Sequence, residues 1–433
     1  MLRKRIQLGL IHAAVAMTLV PINSTLNRVM IKELALSALL VAVLASLPYL
    51  LSPIQVAIGS FSDRHPVLGY RRSPYILLGL LLCVISVAVS PQVAFLMDTN
   101  FVLGLAVGLL AFGAWGMGFN LATVAYFALA SELSGEGGRG RTIAIMFFMM
   151  ISSIIITAIL LSSLLDPYSP EVLIRSFRVV SLVALALGLI GLIRLEPRHV
   201  SQGAAAEEYG WGTLFRAVWN NPQARLFFVY LIVLLAALLG QDVLLEPFGG
   251  EAFEMSVRET TRITAIWGVC VLVALLFTGF LEDRVSKKNI ARWGGLAALL
   301  GFLLIVASPL IGGLSVFFLG VVSLGLGTGL STTSNLSLML DMTTAGNVGL
   351  FIGAWGMANA ISRLVGSLLG GAVRDVVARL SGNPVAGYMT VFAILAGFML
   401  VSLLLLRWVD VQRFRDQANE ELSLIERTAI AIE

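Results

Sequence analysis

Asp242 and Glu246 lie four residues apart in the stretch QDVLLEPFGG, and Arg363 interrupts the apolar run GAWGMANAISRLVG. A spacing of four puts two side chains on one face of a helix, so the two carboxylates are expected to share a face near the outer end of the seventh apolar segment. Counting about 1.5 Å of rise per residue from each helix start places Arg363 at a comparable depth. Ionisable groups within such segments are costly unless they are paired or put to use. Arg363 paired with Asp242 or Glu246 therefore reads in two ways, as an outer gate or proton-sensitive site, or as a static structural ion pair.

Uncharged polar residues interrupt other apolar segments. Asn23 and Asn27 stand one turn apart in the first, Asn120 and Thr123 lie in the fourth, Gln241 adjoins Asp242 in the seventh, and Ser331, Thr332, Ser334 and Asn335 crowd the tenth. They suit either a cavity that receives a polar headgroup or ion, or hydrogen bonds between helices. His12 is the only histidine inside an apolar segment. It is a candidate axial ligand for the magnesium of a chlorophyll, a proton carrier, or an ordinary interfacial residue. Cys83 and Cys270 fall in separate segments, which supports neither a disulfide nor a cysteine metal site. No phosphate-binding loop, His/Cys metal cluster, nucleophile elbow or dinucleotide fingerprint is present. An enzyme, an ATP-driven pump, a bound nucleotide and a resident metal are thereby disfavoured.

Helices must position these groups. With 58% hydrophobic and 12% charged residues, the chain carries more apolar side chain than a soluble protein buries, and runs such as 34–60, 101–131 and 380–408 exceed the ~20 residues that cross a bilayer. Alternating patterns are missing, so helices rather than strands must satisfy the backbone. About twelve spans are expected, six before the polar stretch and six after it. The division is a bundle over 1–195, a cytoplasmic linker over 196–223, a second bundle over 224–409 and a cytoplasmic tail over 410–433. Within the linker, 211–219 alternates Trp, Leu, Phe and Arg, as a short helix at the membrane surface does. If the N-terminus is inside, inner segments hold 20 of the Lys and Arg residues and outer loops 8, which predicts that both termini are cytoplasmic. The net charge of +4 then reflects topology, with no nucleic-acid partner implied. Glycines spaced by four at Gly104/Gly108, Gly325/Gly329, Gly349/Gly353 and Gly366/Gly370 suit close helix packing. The string GAWGM occurs at 113–117 and again at 353–357, with Asn120 and Asn359 close behind.

One short basic loop occurs twice, GSFSDRHPVLGYRR from Gly59 and GFLEDRVSKK from Gly279. Gly59/Gly279, Asp63/Asp283 and Arg64/Arg284 are each offset by 220 residues in a chain of 433, the mark of an internal duplication. These loops resemble the signature between the second and third spans of the major facilitator superfamily, with Arg71 and Arg72 matching its basic pair and Lys287 and Lys288 replacing it in the second copy. The resemblance implies twelve helices in two six-helix bundles, loops that lock the cytoplasmic side, and a central cavity lined by spans one, four, seven and ten.

Three further stretches, PINSTLNRVMIKEL from Pro21, QDVLLEPFGGEAF from Gln241 and SNLSLMLDMTTAGNVGLFIGAWGMANAISRLVGSLLGG from Ser334, resemble the PucC-type, or bacteriochlorophyll delivery, family. Asp242, Glu246, Asp341, Asn347, Trp355 and Arg363 fall in its distinctive segments. The resemblance implies an assembly factor in a bacterial inner, intracytoplasmic or thylakoid membrane, with chlorophyll or bacteriochlorophyll as cargo and light-harvesting antenna subunits and chlorophyll synthase as partners. An ion-coupled transporter of a small organic substrate and a non-transporting scaffold remain the alternatives.

Overall fold

Proline and the hydrogen-bonding needs of the backbone decide where these apolar segments bend. A computed structural model describes residues 2–134, 138–198, 222–281, 284–342, 348–410 and 413. The described residues are almost wholly helical. The first segment is an α-helix, α1 (Leu2–Met17), that continues through two π-helical stretches, Pro21–Leu26 and Val29–Glu33. The widening begins at Pro21, which has no N–H to donate to the preceding turn.

Next come α2 (Ala38–Ala45), α3 (Leu47–Leu50) and α4 (Ile54–Arg64), then α5 (Ser73–Thr99), α6 (Phe101–Ser134), α7 (Arg139–Leu164) and α8 (Pro170–Leu192). After the linker follow α9 (Pro222–Gly240), α10 (Leu245–Phe253), α11 (Val257–Leu281), α12 (Lys287–Ala307), α13 (Leu314–Asp341), α14 (Val348–Ser381) and α15 (Pro384–Leu406). Local starts follow capping chemistry. The Ser169 hydroxyl accepts from the N–H of Val172 ahead of Pro170, and the Asn383 side chain accepts from the N–H of Val385 ahead of Pro384.

Among the described residues, ten helices are long and apolar enough to cross a membrane. Two of the expected spans are not among them. The second is broken into α2, α3 and α4, with Pro48 and Pro53 at the interruptions, and the eleventh is α14. The seventh also breaks: the chain leaves helix after Gly240, turns through residues 241–244 and re-enters at Leu245, with Pro247 in the first turn of α10. Asp242 and Glu246 are therefore not successive turns of one helix, as the spacing predicted.

Packing repeats between the two halves. The pairs α5–α6, α1–α7, α1–α8, α5–α8 and α4–α6 recur as α12–α13, α9–α14, α9–α15, α12–α15 and α11–α13. Contact across the halves runs through α2 with α14 and α7 with α11. Glycine permits the tightest of these approaches: a Cβ on Gly79 would stand 2.6 Å from both the Ala122 nitrogen and the Gly118 oxygen on α6. Of the four-residue glycine pairs, Gly325 and Gly329 pack against α11 and Gly366 against Gly240 on α9. That is internal packing.

The linker from 199 to 221, including the amphipathic stretch 211–219, the tail beyond Asp410 apart from Arg413, and Asp283 and Asn347 lie outside the described residues, as does the packing at Asp63, Gly349 and Gly353.

Candidate functional site

The break between α9 and α10 opens onto a cavity of about 370 Å³ between the halves. Leu19, Val20, Asn23 and Ser24 reach it from the first segment, Tyr49 from α3, and Phe147 to Ile154 from α7. Gln241, Asp242, Leu245 and Glu246 form one wall, Thr264, Trp267, Gly268 and Val271 of α11 another, with Thr328 and Thr332 of α13 and Asn359 and Arg363 of α14 completing it. The fourth span was expected to contribute, yet α6 supplies none of the lining residues. Its Asn120 is turned instead toward α3 and its own backbone.

Arg363 Nη1 donates to Asp242 Oδ2 at 2.7 Å. The guanidinium also stands over the Tyr49 ring, 5.0 Å from its centroid, and the Gln241 amide donates to Asp242 Oδ1 at 2.8 Å. The partner is thus Asp242 and not Glu246. The turn at 241–244 carries Asp242 toward α14, whereas Glu246 follows α10 toward the first segment and α11. Glu246 Oε1 accepts hydrogen bonds from Ser24 and Thr264, one from each half of the chain. Its Oε2 is buried and has no hydrogen-bond partner, a state shared by Gln241 Oε1 and Trp267 Nε1.

Of the predicted polar set, Asn23, Gln241, Asp242, Glu246 and Arg363 line one cavity. Asn27, Asn120, Thr123 and Asn335 do not. Asn27 donates to the Asn23 carbonyl at 3.0 Å, and Asn335 donates to the Ser331 carbonyl at 2.7 Å. Asn120 braces the broken second segment, donating to the carbonyls of Pro48 and Gly116 at 2.8 Å each and accepting from Gln55. Each of these bonds ends on the chain's own backbone or on a neighbouring amide and points away from the cavity. His12 is only 5% exposed. Its ring is enclosed by Tyr126, Phe127 and Phe147 with centroids 5.0, 5.4 and 5.3 Å away, and its Nδ1 is buried without a hydrogen-bond partner, so it sits in an aromatic pocket apart from the cavity.

Ser24, Tyr49, Thr264, Trp267 and Asn359 are cavity residues that reading the sequence missed. Single Ser, Thr or aromatic residues are common in apolar helices and carry no distinguishing spacing. Asn359 had a signal, its place behind the second GAWGM string, and it bonds the Trp355 carbonyl at 3.0 Å as Asn120 bonds that of Gly116.

The duplicated loops meet acids on neighbouring helices. Arg72 is buried and pairs with Glu132 at the end of α6 at 3.0 Å, while its Nη1 donates to Ser62. The Glu196 carboxylate accepts from the backbone N–H groups of Arg71, Arg72 and Ser73, at 2.7 Å for Ser73, and so caps the start of α5. Lys287 pairs with Asp341 at the end of α13 at 2.7 Å, and Lys288 donates to the carbonyls of Arg407 and Val409 at the end of α15. Arg64 and Arg284 are exposed. No atom lies within 4 Å of where a Cβ would stand on Gly279, so packing does not require glycine there. At the opposite, distal end the halves are joined by Lys32 to the Gly250 carbonyl, Arg28 to the Met255 carbonyl at 3.0 Å, and Asp375, which accepts from Ser37 and from the N–H groups of Ala38 and Leu39 to cap α2.

The family described as PUCC protein matches residues 25–414. A relative named Protein PucC from Cereibacter sphaeroides is 33% identical over 422 residues, 94% of this chain and 91% of the relative. Another, named Bacteriochlorophyll synthase 44.5 kDa chain, from Rhodobacter capsulatus, is 27% identical over 379 residues, 86% of this chain and 87% of the relative. Among solved structures, the nucleoside transporter NupG superimposes with a TM-score of 0.71 at 16% identity, covering 94% of this chain and 98% of that one. The fold is that of the major facilitator superfamily, and the chain is a multi-pass membrane protein.

Proposed function

The chain belongs to the PucC family, and from that premise we propose that it is a non-enzymatic membrane factor for the assembly of light-harvesting complexes, handling chlorophyll or bacteriochlorophyll while antenna subunits are put together. The observation that carries this reading is the match to PucC proteins along nearly the whole chain, at 33% identity over 94% of its length. The name of the Rhodobacter capsulatus relative, which links that protein to bacteriochlorophyll synthase, supports chlorophyll synthase as a partner beside the antenna subunits. The membrane would be a bacterial inner, intracytoplasmic or thylakoid membrane, with both termini in the cytoplasm.

The cavity limits where a pigment is held. At about 370 Å³ it lies at the small end of the ~300–1,000 Å³ of small-molecule sites, and a tetrapyrrole with a long isoprenoid tail does not fit inside. Pigment would therefore ride on the apolar outer faces of the bundle, where residues such as Leu110, Phe280 and Leu319 are exposed. A second reading is favoured by one feature, the Arg363–Asp242 pair with Glu246 beside it in a cavity between two repeats, the arrangement an ion-coupled transporter of a small organic substrate uses.

Gentle purification from the native membrane separates these readings. Co-purified pigment absorption together with antenna or chlorophyll-synthase polypeptides supports pigment handling. A colourless, partnerless chain that carries out ion-coupled uptake in vesicles refutes it, and antenna subunits without pigment reduce it to a scaffold.

A further inference from the structure

Charge and hydrogen bonding in the cavity are unevenly satisfied. Asp242 and Arg363 neutralise each other at 2.7 Å, with Gln241 and the Tyr49 ring completing their contacts. Glu246 has no such partner among the lining residues. Ser24 and Thr264 both donate to its Oε1, leaving Oε2 buried and unpartnered on a residue only 3% exposed. Arg28, whose charge reaches Glu246, is itself tied to Glu33 and the Met255 carbonyl. A second acceptor, Gln241 Oε1, is also buried and unpartnered in the same lining. An orphaned buried acceptor is costly, the more so when it is charged, so two in one wall mark a place where a donor is missing. Apolar side chains of α7 and α11, Met150, Ile151, Ile154, Val271 and Leu275, line the same cavity together with Trp267.

We propose that this cavity binds a small organic ammonium ion, its N–H groups donating to Glu246 Oε2 and Gln241 Oε1 and its hydrocarbon body lying along the α7–α11 wall near Trp267. A positive head matches the one carboxylate left without a cation in the lining, and an ammonium supplies enough donors for both acceptors. A volume of about 370 Å³ holds a molecule of one ring and a short chain. The inference goes beyond pigment handling and stands or falls separately from it.

The test is calorimetric titration of the purified full-length chain in detergent at neutral pH, with 2-phenylethylammonium as probe and 2-phenylethanol as its neutral counterpart. The ammonium is expected to bind saturably and about 10- to 100-fold more tightly than the alcohol, the range of one charge-assisted hydrogen bond. Glu246→Gln should remove that difference. Equal affinity of the two probes for the unaltered chain overturns the proposal, because it means that a proton or water already satisfies Glu246. Absence of saturable ammonium binding overturns it as well, as does a Glu246→Gln chain that retains the preference. The comparison of probes on the unaltered chain is decisive even where the variant fails to fold. Neither measurement reads pigment, so failure here leaves the pigment-handling reading intact.

Discussion

Arg363 on α14 and Asp242 in the 241–244 turn are 121 residues apart in the chain, and their coupling is measurable. Two unit charges ~4 Å apart attract by about 4 kcal/mol at an effective dielectric constant of ~20. The side chains are 27% and 20% exposed, so screening lowers this, and the pair is expected to couple by about 1–3 kcal/mol. Arg363→Ala leaves Asp242 with the Gln241 amide and no cation, for a loss of about 3 kcal/mol, as when one partner of a buried pair is removed. Asp242→Ala leaves Arg363 over the Tyr49 ring, a retained cation–π contact that offsets part of its loss. Reversible unfolding in mixed micelles, with SDS mole fraction as the variable, gives the stability of the unaltered chain, both single variants and the double variant. The double variant should cost less than the sum of the singles by the coupling energy. Effects additive within about 0.5 kcal/mol would refute the ion pair as an energetic unit. If the pair also gates or couples, each single variant abolishes antenna assembly in cells and the double variant is no worse.

Four further outcomes follow from packing and hydrogen bonding. Arg72→Ala should destabilise by about 3 kcal/mol because Arg72 is nearly buried, whereas Lys287→Ala, at a side chain 30% exposed, should cost under about 1 kcal/mol; the same micelle unfolding assay reads both, and equal losses would contradict the contrast. Asn120→Leu removes three hydrogen bonds, two of them to the broken second segment, and should lower stability by about 2–4 kcal/mol, measured as a fall in thermal midpoint. Gly79→Ala places a methyl against the α6 backbone and should cost about 1–3 kcal/mol, while Gly113→Ala, where nothing lies within 4 Å, should be neutral or stabilising by up to about 1 kcal/mol. Asp375→Ala removes the acceptor of the Ala38 and Leu39 N–H groups at the start of α2 and should cost the ~1 kcal/mol typical of a lost cap, read as a lower thermal midpoint; a wholly unchanged midpoint would contradict it.

The sequence by itself determined that the chain is helical and membrane-embedded, that it is duplicated, and which family it resembles. Those properties are additive along the chain: apolar length, a 220-residue offset and contiguous motifs survive without knowledge of neighbours. It also singled out Asp242, Glu246 and Arg363, because a charge in an apolar run is conspicuous wherever it points. Which carboxylate Arg363 meets was decided by the turn at 241–244, where Gly240 lies against Gly366 and Pro247 sits in the new helix's first turn. A helical count of four residues cannot see that break. The same limit explains Asn120, whose spacing resembled that of a cavity residue until Pro48 and Pro53 broke the second segment and gave its amide a backbone to hold. It explains His12 too, since only tertiary packing brings Phe147 of α7 against it. Polarity is written residue by residue, but the partner of each polar atom is set by segments that are distant in the chain, and their meeting is a property of the packed fold alone.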